Sequence, residues 1–239
     1  MIKIGIIGAM NIEVYKFCKY IKNIKFKRFL NFKIYIGNWD KIKVFLLQTN
    51  IGKVNSAIST SLLIKKYKIN IIINIGYAGS ISKKININDI ILSKNTAYYD
   101  TNINLIDNCK KYKLNKSNYL NLNIKLIKCF EICMNKIKIN YKKGLIISGD
   151  YFINSNIFIN NIKKLFPNAI AIDMESASIS HVCYLFNIPC VIIKSISDIA
   201  GNNSDKFFKK NINNIPFNIP EIINIFFTIY IYKNFFYLS

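Results

Sequence analysis

Acidic residues are scarce in this chain: 12 of 239 are Asp or Glu, against 34 Lys or Arg, for a formal net charge of +22. Arginine is nearly absent, Arg28 being the only one, and His181 is the only histidine. One histidine, with no carboxylate pair at ligand spacing, argues against a metal centre. The lack of a G-x-S-x-G elbow and of a Cys/His set leaves acyl transfer without support. The six cysteines, Cys18, Cys109, Cys129, Cys133, Cys183 and Cys190, contain no C-x-x-C. Cys129 and Cys133 have no histidine at zinc spacing, so reduced, buried thiols of a cytosolic protein are expected. No G-x-G-x-x-G follows a strand, and Ile51-Gly52-Lys53-Val54 lacks the glycine and Ser/Thr pattern of a P-loop. The most apolar segment, 222–232, is interrupted by Asn224 and is shorter than the roughly 20 residues a bilayer requires. A docked C-terminal helix is expected there. The chain opens on a strand pattern at 2–7, with no visible signal peptide, so a cytoplasmic location is expected.

The charge taken alone suggests nucleic acid or an anionic membrane. The lysines, however, run from Lys3 to Lys233 without one dominant cluster, and no zinc-finger spacing, RRM signature or Arg-rich arm is present. Heavy use of Ile, Asn, Lys, Phe and Tyr fits a drift toward AT-rich codons. A solvated basic surface is the simpler reading, and a basic nucleic-acid-binding protein stays as an alternative of a different class.

What is present centres on residues 169–201. Positions 169–173 form a short apolar run. From Glu175 to Phe186, apolar residues recur at helical spacing (Ala177, Ile179, Val182, Cys183, Phe186) until Asn187-Ile188-Pro189 stops them. Residues 190–196 are rich in β-branched side chains and read as a buried strand. The expectation is a β-α-β unit with parallel strands and a right-handed crossover. Asp173 and Glu175 end the first strand and Asp198 the second, where ligands sit in open α/β sheets. Three of the scarce acids thus share one unit, although a helix-start acid such as Glu175 can also serve the helix dipole.

The remaining chain reads as one domain over 1–239. A strand at 2–7 ends in Gly8-Ala9-Met10, and a helix capped by Asn11 runs to about Lys22 with Glu13 in its first turn. Strands at 32–37 and 41–48 form a hairpin turned by Gly37-Asn38-Trp39-Asp40. A helix extends from 53 to about 66, and 69–75 is a nearly continuous apolar strand followed by a small-residue turn, Gly76 to Ser80. Further strands are expected at 89–101 and 144–148, helices at 124–137 and 157–166, and loops at 102–120 and 201–206. No internal repeat or linker is apparent.

The chemistry left open is that of carboxylates: Glu13, Glu175 and Asp198 at three strand ends. Separate carboxylates suit glycosidic cleavage, one protonating the leaving group and another activating water as the sugar becomes cationic. Because an ordinary Asp ionises near pH 3.9, an acid role for Asp198 requires a raised pKa or a proton shared with a ring nitrogen.

The strings IGIIGAM-x-x-E-V, IGKVNSA, NIGYAGS, SGDYFIN, IDMESASISHVC and IKSISDIA, in that order, resemble the bacterial 5′-methylthioadenosine/S-adenosylhomocysteine nucleosidases. The likeness runs from Lys3 to about Phe208. It implies an α/β fold: a three-layer α/β/α sandwich about a mixed, partly barrel-like sheet, as in the nucleoside phosphorylases. It also implies a homodimer, no cofactor, and a place in methionine salvage. By the same resemblance Glu13 would activate water and Asp198 would protonate adenine N7 beside Ser197. Glu175 would hold the ribose hydroxyls with Met174 packed on the sugar. Phe152 would stack on adenine while the backbone at Phe152 and Ile153 reads its edge, and Ile51 and Phe208 would line the 5′ region. This chain departs from the pattern at Tyr77 (usually Ser), Lys194 (usually Arg) and Asp173 (usually Glu). Tyr77 and Lys194 are both expected at the sugar end of the pocket. The segment that enters the partner's site in the family falls near 102–115 and is not recognisable here. A purine nucleoside phosphorylase is the nearest rival. It would hold phosphate with cations, usually arginine, and Arg28 lies far from every motif.

Overall fold

A computed structural model describes residues 2–101, 119–201, 203–212 and 218–228. The chain begins with β1 (Lys3–Gly8), α1 (Asn11–Cys18), β2 (Lys22–Phe29), β3 (Phe32–Trp39), β4 (Ile42–Gln48), α2 (Lys53–Tyr67) and β5 (Ile71–Ser80). It continues with β6 (Ile90–Tyr98), β7 (Leu120–Asn121), α3 (Ile124–Lys136), β8 (Tyr141–Ser148) and α4 (Asn156–Leu165). It closes with β9 (Ala169–Asp173), α5 (Ser176–Leu185), β10 (Cys190–Ile199), α6 (Ser204–Asn211) and α7 (Ile219–Phe226).

The strands form one mixed sheet in the order β10-β6-β8-β9-β5-β1-β4-β3-β2, and an added β10–β5 pairing closes five of them into a ring. The fold class is the expected one, an α/β/α sandwich whose sheet is partly a barrel. Closure works because β5 is long. Its first half pairs in parallel with β1, nearly its whole length pairs in parallel with β10, and its last residues, Gly79 and Ser80, also pair antiparallel with Ile172 and Ala171 of β9. Strands β1, β5 and β10 are buried almost throughout, which is why they read as largely apolar runs. Helices α3 and α7 stack Phe130 on Phe226 at 4.4 Å, and Trp39 links α1 to this group through Phe17 and Phe227. On α2 and α5, Ser56 and Ser178 share a hydroxyl hydrogen bond of 2.5 Å. A smaller core beneath α4 gathers Ile147, Ile153, Ile159, Ile162 and Ile172.

Several sequence expectations are corrected. β9 and β10 are not a parallel pair: β5 lies between them, parallel to β10 and antiparallel to β9. Gly76 to Ser80 is not a turn but the second half of β5. Helix α1 ends at Cys18 with Met10 at its cap position, and 22–29 is an edge strand whose residues are almost all exposed. The hairpin turns at Asp40 and Lys41, with Trp39 opposite Ile42 and Asp40 at φ +54°. Residues 204–206, expected within the 201–206 loop, are instead the start of α6. The expected loop at 102–120 and the partner-reaching segment lie almost wholly outside the described residues.

Candidate active site

A cavity of about 300 Å³ opens where β1, β5, β9 and β10 meet α6. Every residue singled out from the sequence lines it except Lys194: Glu13, Ile51, Tyr77, Phe152, Ile153, Met174, Glu175, Ser197, Asp198 and Phe208. Sequence reasoning passed over Met10, Tyr151, Asp205 and Lys209, which also line it. Asp205 and Lys209 flank Phe208 at helical spacing, but the polar start of that segment reads as loop.

Glu13 reaches the cavity by folding back over the start of its own helix. Its Oε2 accepts the N–H groups of Ala9 (2.7 Å) and Met10 (2.8 Å), and its Oε1 accepts that of Tyr77 (3.0 Å). The three donors belong to the turn after β1 and to the middle of β5. Gly76 makes room for this carboxylate: its φ is +140°, and a Cβ there would lie 2.5 Å from Glu13 Oε1. Burial pushes the Glu13 carboxyl above its ordinary range, while Lys194 and the three backbone donors oppose that rise.

Glu175 caps α5 and accepts the Gly52 N–H at 2.9 Å, which ties β9 to the start of α2. Burial and the neighbouring Asp173 raise its pKa, and Lys194 and the Gly52 N–H lower it. Asp198 is not beyond the end of β10 but inside it. The register with β5 shifts by one residue between Ile196 and Asp198, a bulge that re-aims the side chain. Gly79 leaves space for it, since a Cβ there would meet Asp198 Oδ2 at 3.1 Å. Burial raises the Asp198 pKa, and the Ser197 hydroxyl, which donates to its Oδ1 at 2.6 Å, works against that rise.

Lys194 is placed differently from expectation. It is 1% exposed and sits behind the acids, its Nζ 3.0 Å from Asp173 Oδ2. Strict alternation would put it on the same face as Asp198, and the bulge between them breaks that alternation. Burial disfavours its charge, but Asp173, Glu13 and Glu175 outweigh burial and hold its pKa above the ordinary lysine value. Asp173 also accepts the Ser148 hydroxyl at 2.5 Å and the Ser176 N–H and hydroxyl. The result is a buried ammonium serving three carboxylates. Tyr77 lines the cavity as expected. Its hydroxyl accepts from Lys16 at 3.5 Å, and burial, then Glu13, push its pKa up to about 12, so it is a neutral phenol.

The aromatic edge of the cavity is Phe152 against Phe208, centroids 6.0 Å apart and rings tilted by 67°. The loop carrying Phe152 is pinned from both sides. Tyr99 donates its hydroxyl to Tyr151 O at 2.7 Å, while Ser204 Oγ and Gly201 N donate to Ile153 O at 2.7 and 3.2 Å. Among the described residues no group of three or more His, Cys, Asp or Glu is arranged to hold a metal ion. The arrangement therefore offers carboxyl groups of raised pKa, an aromatic edge, and an acidic floor suited to a developing cation.

The chain is similar to known proteins over most of its length. The sequence profile of the phosphorylase superfamily matches residues 3–219. A 5′-methylthioadenosine/S-adenosylhomocysteine nucleosidase from Buchnera aphidicola subsp. Acyrthosiphon pisum (strain Tuc7) is 42% identical over 223 residues, covering 93% of this chain and 96% of the relative. The protein of that name from Buchnera aphidicola subsp. Baizongia pistaciae (strain Bp) is 45% identical over 218 residues, covering 88% and 84%. Among solved structures, the nucleosidase of that name from Neisseria meningitidis, in complex with methylthio-immucillin-A, superposes with a TM-score of 0.88. It is 26% identical and covers 95% of this chain and 99% of that one.

Proposed function

The chain belongs to the 5′-methylthioadenosine/S-adenosylhomocysteine nucleosidases of the phosphorylase superfamily, and from that premise we propose a mechanism in which Glu13 and Asp198 act on opposite partners of one glycosidic bond. The enzyme is an N-glycosidic hydrolase that releases adenine from 5′-methylthioadenosine and S-adenosylhomocysteine. Asp198, whose pKa burial raises, protonates adenine N7, and the Ser197 hydroxyl holds its carboxyl. As the bond to adenine lengthens, positive charge develops on the ribose, and the buried acids behind it offset that charge. Glu13, held by three backbone N–H groups and facing the Lys194 charge, takes the proton of the attacking water. Glu175 holds the ribose hydroxyls and Met174 packs on the sugar. Phe152 and the Ile153 backbone take adenine, and Ile51 and Phe208 flank the 5′ substituent. Lys194 acts through the acids: it keeps Glu13 and Glu175 from both taking up protons.

The observation that carries this reading is the convergence of Glu13, Glu175 and Asp198, from three separate elements, on one cavity edged by Phe152. Phosphate has no comparable place. Arg28, the only arginine, lies on exposed β2, and the only cation among the described residues lining the cavity is Lys209 on α6. The test is adenine release by Asp198→Asn and Glu13→Gln, each expected to fall by about 10²–10⁴-fold with an unchanged circular dichroism spectrum. Near-wild-type rates in either variant remove that residue from the mechanism.

The homodimer is part of the same proposal. Val54 and Ile58, one turn apart on α2, are 67% and 45% exposed, and Ile51 beside them is 52% exposed at the cavity. Such a face is what an obligate interface covers. Light scattering that gives a 27.7 kDa particle at micromolar concentration contradicts it. A single domain, a cytoplasmic site of action and a role in methionine salvage complete the reading. No helix among the described residues is long and apolar enough to cross a membrane.

A further inference from the structure

The mouth of the cavity carries a feature that cleavage itself does not use. Asp205 and Lys209 lie one turn apart on α6, with Phe208 between them in sequence, and all three line the cavity. Residues at this spacing have Cβ atoms about 5–6 Å apart on one helix face. An Asp–Lys pair so placed can close on itself, yet neither residue makes an ion pair with any described residue. The other acids of the lining, Glu13, Asp173, Glu175 and Asp198, are all buried, whereas Asp205 is half-buried and Lys209 exposed. A substrate bearing a carboxylate would meet that acidic floor as a repulsive field, relieved within the lining only by Lys209.

The two nucleosides differ at this end. 5′-Methylthioadenosine ends in a methyl group. S-adenosylhomocysteine ends in an amino acid, with an ammonium and a carboxylate on the same carbon. We propose that Asp205 and Lys209 form a subsite for this zwitterionic end, Lys209 taking the carboxylate and Asp205 the ammonium, and so set the preference between the two substrates. The proposal rests on the reading that Ile51 and Phe208 flank the 5′ substituent. Position favours it: Ser204 Oγ and Gly201 N hold α6 to Ile153 O, one residue from Phe152, so the charge pair sits at a fixed offset from the adenine slot.

The test is the ratio of kcat/KM for S-adenosylhomocysteine to that for 5′-methylthioadenosine, in wild type, Asp205→Asn, Lys209→Gln, and the exchange Asp205→Lys with Lys209→Asp. The subsite predicts a ratio lower by about twofold to fivefold in the single variants, the scale of solvent-screened charge contacts. It also predicts partial recovery in the exchange, and a wild-type ratio that declines as salt rises. If the pair only stabilises the helix, melting temperature shifts while both substrates change alike and the ratio is constant in salt. That result overturns the proposal. Wild-type failure to cleave either nucleoside overturns the nucleosidase reading instead. Calorimetric affinities for the two nucleosides then decide the subsite separately: a constant affinity ratio across the four proteins rejects it.

Discussion

Replacing Lys194 with methionine removes a charge that three buried carboxylates share. In the wild type the ammonium is 3.0 Å from Asp173 and interacts with Glu13 and Glu175. Breaking a buried ion pair by deleting one partner costs about 3–5 kcal/mol, because the other charge is left uncompensated. Here the lower end of that range applies, since Asp173 keeps the Ser148 hydroxyl and the Ser176 N–H and hydroxyl as donors. For a chain of this length about 1 kcal/mol moves the melting temperature by roughly 2–4 °C. A loss of about 3 kcal/mol therefore appears as roughly 6–12 °C in calorimetry. Activity responds through Glu13. Lys194 is the leading influence that lowers its pKa against burial, so the variant's Glu13 holds its proton to higher pH. The acid limb of kcat/KM, which reports the base in free enzyme, moves to higher pH. Lys194→Met with Asp173→Asn should recover part of the stability, because the uncompensated charge is gone. A melting temperature within about 2 °C of wild type, or an acid limb that does not move, refutes the claim that this ammonium supports the carboxylates.

The remaining predictions concern the same cluster. Gly76→Ala brings a Cβ to 2.5 Å from Glu13 Oε1 at a φ of +140°, so kcat should fall by about 10²-fold, the cost of displacing a reacting group by about 1 Å; a rate within a few-fold of wild type contradicts the need for glycine. Lys194→Arg, which restores the side chain the resemblance calls usual, enlarges a fully enclosed residue and should lower stability by about 1–3 kcal/mol, measurable by urea titration, with no gain in kcat/KM. Glu13, Glu175 and Asp198 all have pKa values raised by burial, so the folded chain keeps protons that the unfolded chain releases. Their contribution to stability is present in full below about pH 4, the ordinary carboxylate range. It is lost as pH rises through the folded values, so Glu175→Gln should gain melting temperature relative to wild type as the pH is raised from 5 to 8. A difference independent of pH contradicts the raised pKa.

The local signals in the sequence were accurate where one residue's neighbours in the chain decide its state. Helix α5 stops beside Asn187 and Pro189, and strands β1, β5, β6 and β10 each open on an apolar run. Pairing was not legible, because it depends on residues far apart. The β9–α5–β10 stretch reads as a parallel unit until β5 is placed between its strands. Gly76 and Gly79 looked like turn residues, yet their smallness admits the Glu13 and Asp198 carboxylates to a continuous strand. Edge strand β2 gave no alternation because nearly all of it is exposed, and α6 lacked an apolar stripe because Phe207 and Phe208 are adjacent and charged residues surround them. Of the candidate residues, the cavity gathers all but Lys194, whose displacement follows from a bulge that no spacing rule reveals.

The most direct test of the account is adenine release from 5′-methylthioadenosine in phosphate-free buffer. A hydrolase whose nucleophile is water, activated by Glu13, yields adenine and 5-methylthioribose at a rate that added phosphate leaves unchanged. Product that forms only with phosphate, and carries it on the sugar, contradicts the account.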